Sequence, residues 1–203
     1  MKLTDKEIMD KINQHKFIII TGTSNGRTRI RKLLVDKLGP KRVLVTNRYR
    51  HYNYYKDILE SLCLFFTPDK GNHKITTTII DKWQRKKKPI IIDSFSDIQQ
   101  SYFEEFRREF NMGQGTQIRY SVDWSIYKQI LKNLITKLKK NKKQVILFTY
   151  EKQEWDGVKV IDKVADINMI FMHESDLIIQ ATDKHNLLIK DKPVLVLEDV
   201  INE

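Results

Sequence analysis

Short, uninterrupted apolar runs alternate along the chain with segments in which apolar residues recur at helical spacing. The runs that predict buried strands lie at 17–20, 43–46, 90–92 and 144–149. The helical stripes cover 4–15, 30–38, 98–110 and 123–140. Strands that are apolar on both faces and separated by helices are typical of a parallel sheet with covered faces. The pattern therefore predicts an α/β fold, a three-layer parallel sheet with helices on both faces.

The chain carries no repeat and no low-complexity linker, and 203 residues are enough for one domain. We expect a single domain over 1–203, with an N-terminal helix at 1–16, a core at 17–157 and short strands and hairpins at 158–203. The apolar runs are far shorter than the roughly 20 residues that a bilayer requires. With a polar start and no apolar signal segment, the expected location is the cytoplasm, without membrane contact.

The charge is strongly and unevenly positive. The chain has 37 basic and 26 acidic residues, a net charge of +11; residues 1–150 carry +17 and residues 151–203 carry −6. A field of this sign favours polyanionic partners such as nucleic acids or nucleotide phosphates. The alternative is that a Lys-, Ile- and Asn-rich composition reflects an AT-rich genome.

The first predicted strand runs into a turn that contains two glycines and then into a helix. This order places backbone N–H groups and a helix N-terminus where they hold phosphate. In the pattern G-x-x-x-x-G-K-[ST], the lysine position falls on Arg27 and the first glycine position on Thr21. The candidate nucleotide-binding residues are Gly22, Thr23, Ser24, Asn25, Gly26, Arg27 and Thr28. Three alternatives stay open: hydrolysis, binding without efficient turnover, and a turn that binds nothing.

An aspartate, Asp93, follows the apolar run at 90–92. An acid at the end of a buried strand near a phosphate-binding turn is suited to hold Mg²⁺ through water. The Thr28 hydroxyl is a second candidate ligand, so Thr28 and Asp93 are the predicted metal residues. ATP and Mg²⁺ are the expected cofactors. Aspartates at strand ends are common, so this prediction depends on the neighbouring segments of the chain and not on Asp93 alone.

Basic and aromatic residues alternate at 48–56. The candidate nucleic-acid-binding residues are Arg48, Tyr49, Arg50, Tyr52, Tyr54, Tyr55 and Lys56. Cationic groups neutralise phosphates and tyrosines stack on unpaired bases, which suits a single strand. The alternative is that the tyrosines pack in the core while the basic groups are solvated.

These segments together resemble RecA-like P-loop ATPases, and most closely the small phage recombination ATPases of the Sak type. The resemblance covers about 17–157. It rests on the strand and loop at 17–28, the Asp93-Ser94 pair, the helix start at 123–128 and the strand with its Glu-Lys at 144–152. It implies a RecA-like P-loop fold with a degenerate Walker A motif and a viral or phage protein that binds nucleotide.

The resemblance also implies a role on DNA in recombination, replication or packaging, with single-stranded DNA as the expected partner, and homo-oligomers in the host cytoplasm. By it, Thr149 falls at a polar sensor position facing the γ-phosphate, so Asp93 and Thr149 are the catalytic candidates. The chain departs from the family at Arg27 and at 43–48, where no glutamate follows the strand. Lost ATPase activity and a non-catalytic nucleic-acid-binding protein on a relic scaffold therefore stand as alternatives.

Overall fold

A computed structural model gives the fold of the chain. It describes residues 4–38, 43–46, 63–65, 89–93, 95–109, 121–140, 142–156, 159–181 and 194–197. The strands are β1 (Phe17–Gly22), β2 (Val43–Thr46), β3 (Cys63–Phe65), β4 (Ile90–Asp93), β5 (Val145–Phe148), β6 (Glu151–Asp156), β7 (Lys159–Ala165), β8 (Leu177–Ala181) and β9 (Val194–Leu197). The helices are α1 (Asp5–Gln14), α2 (Ser24–Leu38), α3 (Phe95–Glu109), α4 (Ser121–Lys140) and α5 (Met169–Glu174).

Seven of these strands form one sheet in the order β3-β2-β4-β5-β1-β8-β9, and every neighbouring pair is parallel. β1 lies inside the sheet, with Phe17 opposite Val145 of β5 and Ile18 opposite Leu177 of β8. All six residues of β1 are buried. A strand with parallel neighbours on both sides and helices above and below needs apolar side chains on both faces, which its sequence provides.

Alternate strand residues point to two separate cores. On one face Ile19, Ile92 and Leu147 pack against α3, α4 and α5. On the other face Ile20 and Phe148 pack against α1 and α2. Helices therefore cover both faces, and the predicted α/β fold with a three-layer parallel sheet is confirmed.

The C-terminal part joins the main sheet. β8 pairs with β1 and β9 pairs with β8, both in parallel. The antiparallel hairpin lies earlier, where β6 pairs with β7 and a register shift occurs between Glu154 and Trp155. Within the described ranges, no helix is both long and apolar enough to cross a membrane.

A capping box at Thr4 determines where the first helix, α1, begins. The Thr4 side chain accepts a hydrogen bond from the Glu7 N–H at 3.3 Å, and the Glu7 carboxylate accepts one from the Thr4 N–H at 2.7 Å. This capping box starts α1 one residue after Thr4. Its buried residues Ile8, Met9 and Ile12 lie at the helical spacing that predicted the element.

Candidate functional site

The connections that follow β1 and β5 leave the sheet on opposite faces. β1 leads into α2 on one face, whereas β5 leads by way of the hairpin to α5 on the other. In open parallel sheets, ligands bind at the carboxyl ends of two such neighbouring strands. We call this place the switch-point site, and it is formed by Thr21, Arg27, Thr149 and Tyr150.

The turn between β1 and α2 is short. Only Thr23 separates Gly22, the last residue of β1, from Ser24, the first residue of α2. Gly22 has φ +125°, and a Cβ added there would overlap the Ala181 backbone of β8. The Thr23 N–H donates to the Ala181 carbonyl at 2.9 Å. The close approach of β8 therefore accounts for glycine at position 22.

Helix α2 begins with a threonine cap. Thr23 Oγ1 accepts a hydrogen bond from the Gly26 N–H at 3.1 Å, and the Thr23 carbonyl accepts one from the Arg27 N–H at 3.0 Å. Ser24 and Asn25 are the first two residues of α2, where backbone N–H groups have no acceptor within the helix itself. Their N–H groups are backbone donors that this helix end offers to an anion.

Arg31 of α2 holds the acid at the end of β4. Its Nε and Nη2 donate to the two carboxylate oxygens of Asp93 at 2.6 Å and 2.9 Å. The side chains are 4% and 0% exposed, and the Arg31 guanidinium lies 4.9 Å from the centre of the Phe148 ring. Both oxygens of Asp93 thus accept charge-assisted hydrogen bonds from one planar group.

Arg27 lies one helical turn before Arg31 and is 9% exposed. Its Nη1 donates to the Thr149 carbonyl at 2.9 Å, and its guanidinium lies 4.9 Å from the centre of the Tyr150 ring. Burial lowers the pKa of Arg27, and the positive charge of Arg31 lowers it further. Tyr150, Asp93 and Glu151 act in the opposite direction and raise it. In the described residues Arg27 makes no ion pair, and its Nε has no hydrogen-bond partner.

Two further buried polar side chains lie at the ends of β5 and β8, the two strands that flank β1. Thr149 is 1% exposed and Gln180 is 0% exposed. Among the described residues, Thr149 Oγ1 and both amide atoms of Gln180 find no hydrogen-bond partner. Gln180 is opposite Thr21 in the parallel register, next to the switch-point site. Buried polar atoms are nearly always paired, so these atoms require partners other than the described residues.

The segment after β5 is braced by hydrogen bonds. The Tyr150 carbonyl accepts from Thr21 Oγ1 at 3.2 Å and from the Asp166 N–H at 2.7 Å. The Tyr150 N–H donates to Ser96 Oγ at 3.0 Å, and its hydroxyl donates to Asp97 Oδ2 at 3.1 Å. The ring against Arg27 is therefore held from both ends.

The structure brings some of the predicted site residues together. Arg27 meets Thr149 through the carbonyl of the latter. Thr28 is half-buried in α2, and Asp93 is bound to Arg31. The described residues contain no group of three or more metal-ligating side chains. The residues predicted to bind nucleic acid at 48–56 lie outside the described ranges, so their role stays a prediction.

Sequence reasoning missed the roles of Arg31, Gln180 and Tyr150. One signal was present: Arg27 and Arg31 are four residues apart and flank Ile30, which places cations beside the buried stripe of α2. Gln180 comes directly after an apolar run, like Asp93. No local pattern indicated that Arg31 would pair with an acid 62 residues away.

No protein-family profile matches the sequence, and no curated protein is significantly similar to it. Among solved structures, the chain is similar to a prototypical ATPase from the type III secretion system of pathogenic bacteria. The TM-score is 0.41 and the sequence identity 16%, over 71% of this chain. The chain spans 46% of that ATPase.

Proposed function

We propose that the chain is a RecA-like P-loop-type protein that binds the phosphates of a nucleotide at the switch-point site without Mg²⁺-dependent hydrolysis. One observation carries the proposal. The Arg27 guanidinium is buried and forms no ion pair with a described residue, whereas Arg31 binds Asp93. Arg27 is therefore a buried cation at the carboxyl edge of a parallel sheet, and Asp93 and Glu151 are the nearby acids that favour its charge. A buried charge without a partner is costly, and an anionic ligand would offset that cost.

The contacts around Arg27 support a phosphate as the anion. Arg27 lies in the first turn of α2, where the helix dipole favours negative charge. The N–H groups of Ser24 and Asn25 belong to the same turn and can donate to a phosphate oxygen. Arg27 already donates from Nη1, and its unpaired Nε is a donor still to be satisfied.

In our proposal Asp93 is the ion-pair partner of Arg31 and not a ligand of Mg²⁺. The metal would need a carboxylate oxygen, directly or through water, and both oxygens accept from Arg31 at 2.6 Å and 2.9 Å. In our proposal the Arg31 guanidinium takes the position that a metal ion would occupy beside Asp93. The missing lysine at position 27 and the missing glutamate after β2 support the same conclusion.

The charge of the chain supports nucleic acid as the partner on which this protein acts. A net charge of +11 favours a polyanion, and the resemblance to phage recombination ATPases favours single-stranded DNA. We therefore retain DNA recombination, replication or packaging as the proposed setting, with a viral or phage origin and action in the host cytoplasm. Action as homo-oligomers is proposed on the same resemblance.

Nucleotide titration tests the proposal. Isothermal calorimetry should show that ATP binds in EDTA at least as tightly as in Mg²⁺, and phosphate release should stay at the buffer rate. Arg27→Met should weaken ATP binding at least about tenfold, a loss of about 1.4 kcal/mol. Arg29→Met is the matched control, because Arg29 lies on the same helix in an exposed ion pair with Asp5.

Two results would overturn it. If ATP and pyrophosphate both fail to bind at about 1 mM, the site is not a phosphate site. If the chain hydrolyses ATP only with Mg²⁺ and Asp93→Asn abolishes the activity, the acid works as a metal residue and the Arg31 pair opens during turnover.

A further inference from the structure

A cavity of about 250 Å³ lies at the amino-terminal edge of the sheet, opposite the switch-point site. We call it the lysine pocket. It is lined by Lys16, Phe17, Lys139, Lys142, Lys143, Val145 and Asp176. Four lysines thus surround an apolar floor with a single carboxylate among them. Phe17 and Val145 are neighbours in the register of β1 and β5, so the floor belongs to the rigid centre of the sheet.

The acids near the pocket are already engaged. Asp176 Oδ2 accepts from the N–H groups of Lys16 and Phe17 at 3.2 Å and 2.8 Å. Glu174 accepts from Lys139 Nζ at 2.6 Å. Within the described ranges, the ammonium groups of the other three pocket lysines have no ion-pair partner. The pocket therefore carries a net positive charge that no described side chain neutralises.

The pocket lysines are presented by a fixed backbone. The Lys142 N–H donates to the Lys139 carbonyl at 3.0 Å, and Lys142 has φ +54°. This left-handed conformation after a helix end favours Gly or Asn, and lysine adopts it at a cost of about 1 kcal/mol. Next to it, Gln144 donates to the carbonyls of Ile12 and His15 at 2.6 Å and 2.9 Å. The turn that carries Lys142 and Lys143 is thus tied to α1.

Exposed lysines continue from the pocket along α4. Lys128, Lys132 and Lys140 are exposed, and the row that they form turns by about 120° around the helix axis from 128 to 140. At 1.5 Å per residue, the row from 128 to 140 is about 18 Å long. A row of cations that leads into a cationic pocket fits a linear polyanion better than it fits a single phosphate group.

We propose that the lysine pocket binds backbone phosphates of a single-stranded nucleic acid, whose next phosphates follow the lysine row of α4. The inference rests on the nucleic-acid part of the proposed function and not on nucleotide binding at Arg27. It gives the two edges of the sheet different ligands, nucleotide phosphate at the carboxyl edge and a strand at the amino edge.

The test compares two charge-matched double variants of the full chain. In the pocket variant, Lys142→Asn and Lys143→Gln remove two charges, and asparagine tolerates the left-handed backbone. In the control, Lys6→Gln and Lys32→Gln remove two exposed charges from α1 and α2. Binding of a fluorescent oligothymidylate is measured without nucleotide over a series of salt concentrations, and far-UV circular dichroism checks that both variants are folded.

The pocket variant should lose about tenfold in affinity at low salt, with a salt slope shallower by about 1.4, or 0.7 for each lost phosphate contact. The control should stay within about twofold of the parent. Equal losses in both variants would overturn the pocket as a site, and so would unchanged binding in the pocket variant. In those cases nucleotide binding at Arg27 is untouched.

Two further outcomes also decide the matter. If the parent chain binds no oligothymidylate at low salt, both the pocket and the nucleic-acid part of the proposed function fail. If the pocket variant loses binding to phosphatidylserine vesicles and keeps its affinity for DNA, the pocket recognises a membrane surface and the proposal is overturned.

Discussion

Arg31 and Asp93, 62 residues apart in the chain, form a buried bidentate ion pair. The pair joins the helix that follows β1 to the end of β4, two strands away from β1. It fixes α2 against the sheet by its polar side chains as well as by its apolar ones. It also sets the surroundings of Asp93, because both of its carboxylate oxygens accept hydrogen bonds from Arg31.

The two single substitutions that break this pair should lower the free energy of unfolding by different amounts. Asp93→Leu removes the carboxylate that Arg31 binds in the interior and should lower the free energy of unfolding by about 3–5 kcal/mol. Arg31→Met should cost less, because the charge of Asp93 also acts favourably on Arg27. The double variant should recover most of the loss. Urea denaturation of the four proteins gives the coupling energy.

The control for this cycle is Arg29→Met, which breaks an exposed ion pair with Asp5 and should cost less than about 1 kcal/mol. Equal losses for Asp93→Leu and Arg29→Met would contradict a buried pair.

Gly22→Ala should be severely destabilising. The substitution forces alanine to φ +125° and drives its Cβ into the Ala181 backbone, so the pairing of β1 with β8 must open. The strained backbone alone costs about 1–3 kcal/mol, and the overlap adds to it. Thermal unfolding measures the effect. The exposed neighbour Asn25→Ala should stay within about 0.5 kcal/mol, and a tolerated Gly22→Ala would mean that β8 lies elsewhere.

Alkaline pH should destabilise the chain through Tyr127. Burial raises the pKa of Tyr127 well above its usual value of 10.0, since the ring packs against Phe103, Phe106 and Trp124. The folded state then keeps a proton that the unfolded state loses. Stability should fall as the pH rises above 10.0 toward the folded pKa, by about 1.4 kcal/mol per pH unit from this group. Urea midpoints of the parent and of Tyr127→Phe should diverge there, and parallel curves would contradict the assignment.

Acid should weaken the cap of α1. Hydrogen bonds from the Thr4 backbone and then from its hydroxyl lower the pKa of Glu7 below 4.5 in the folded state. A depressed carboxylate pKa stabilises the fold above 4.5, and that contribution is lost as the pH falls through the folded value. Glu7→Gln should therefore be less stable than the parent at neutral pH, and the gap should close in acid.

Chemical denaturation at several pH values measures this gap. Asp10→Asn, on the same helix and outside the capping box, serves as its control. A gap between the parent and Glu7→Gln that stays constant with pH would show that the Glu7 charge plays no part in the cap.

Much of the fold followed from local pattern. The runs at 17–20, 90–92 and 144–149 are strands, and the stripe at 123–140 is a helix that begins two residues earlier, at Ser121. Runs that are apolar at every position can be buried only between two covered faces, so the parallel sheet was predictable as well. The strand order was not, because it depends on contacts between distant segments, such as β1 with β8.

The sequence predicted where the candidate site lies in the sheet, but not which side chains contact each other there. Strand ends carrying Asp93 and Thr149, and a helix start carrying Arg27, indicated the carboxyl edge of the sheet. Which side chain pairs with which depends on how α2 lies across the strands, and spacing along the chain does not encode that. In the structure, the segment that resembled a phosphate loop consists of the end of β1, the single turn residue Thr23 and the first turn of α2.

The sequence by itself determined the kinds of element, the α/β class and the positive charge, since propensity, periodicity and composition are local or additive properties. Only the tertiary structure decided that Arg31 binds Asp93, that Arg27 is buried beside Thr149 and Tyr150, and that four lysines surround one cavity. Burial changes the energy of a charge, and burial is settled by residues that are far away in the chain.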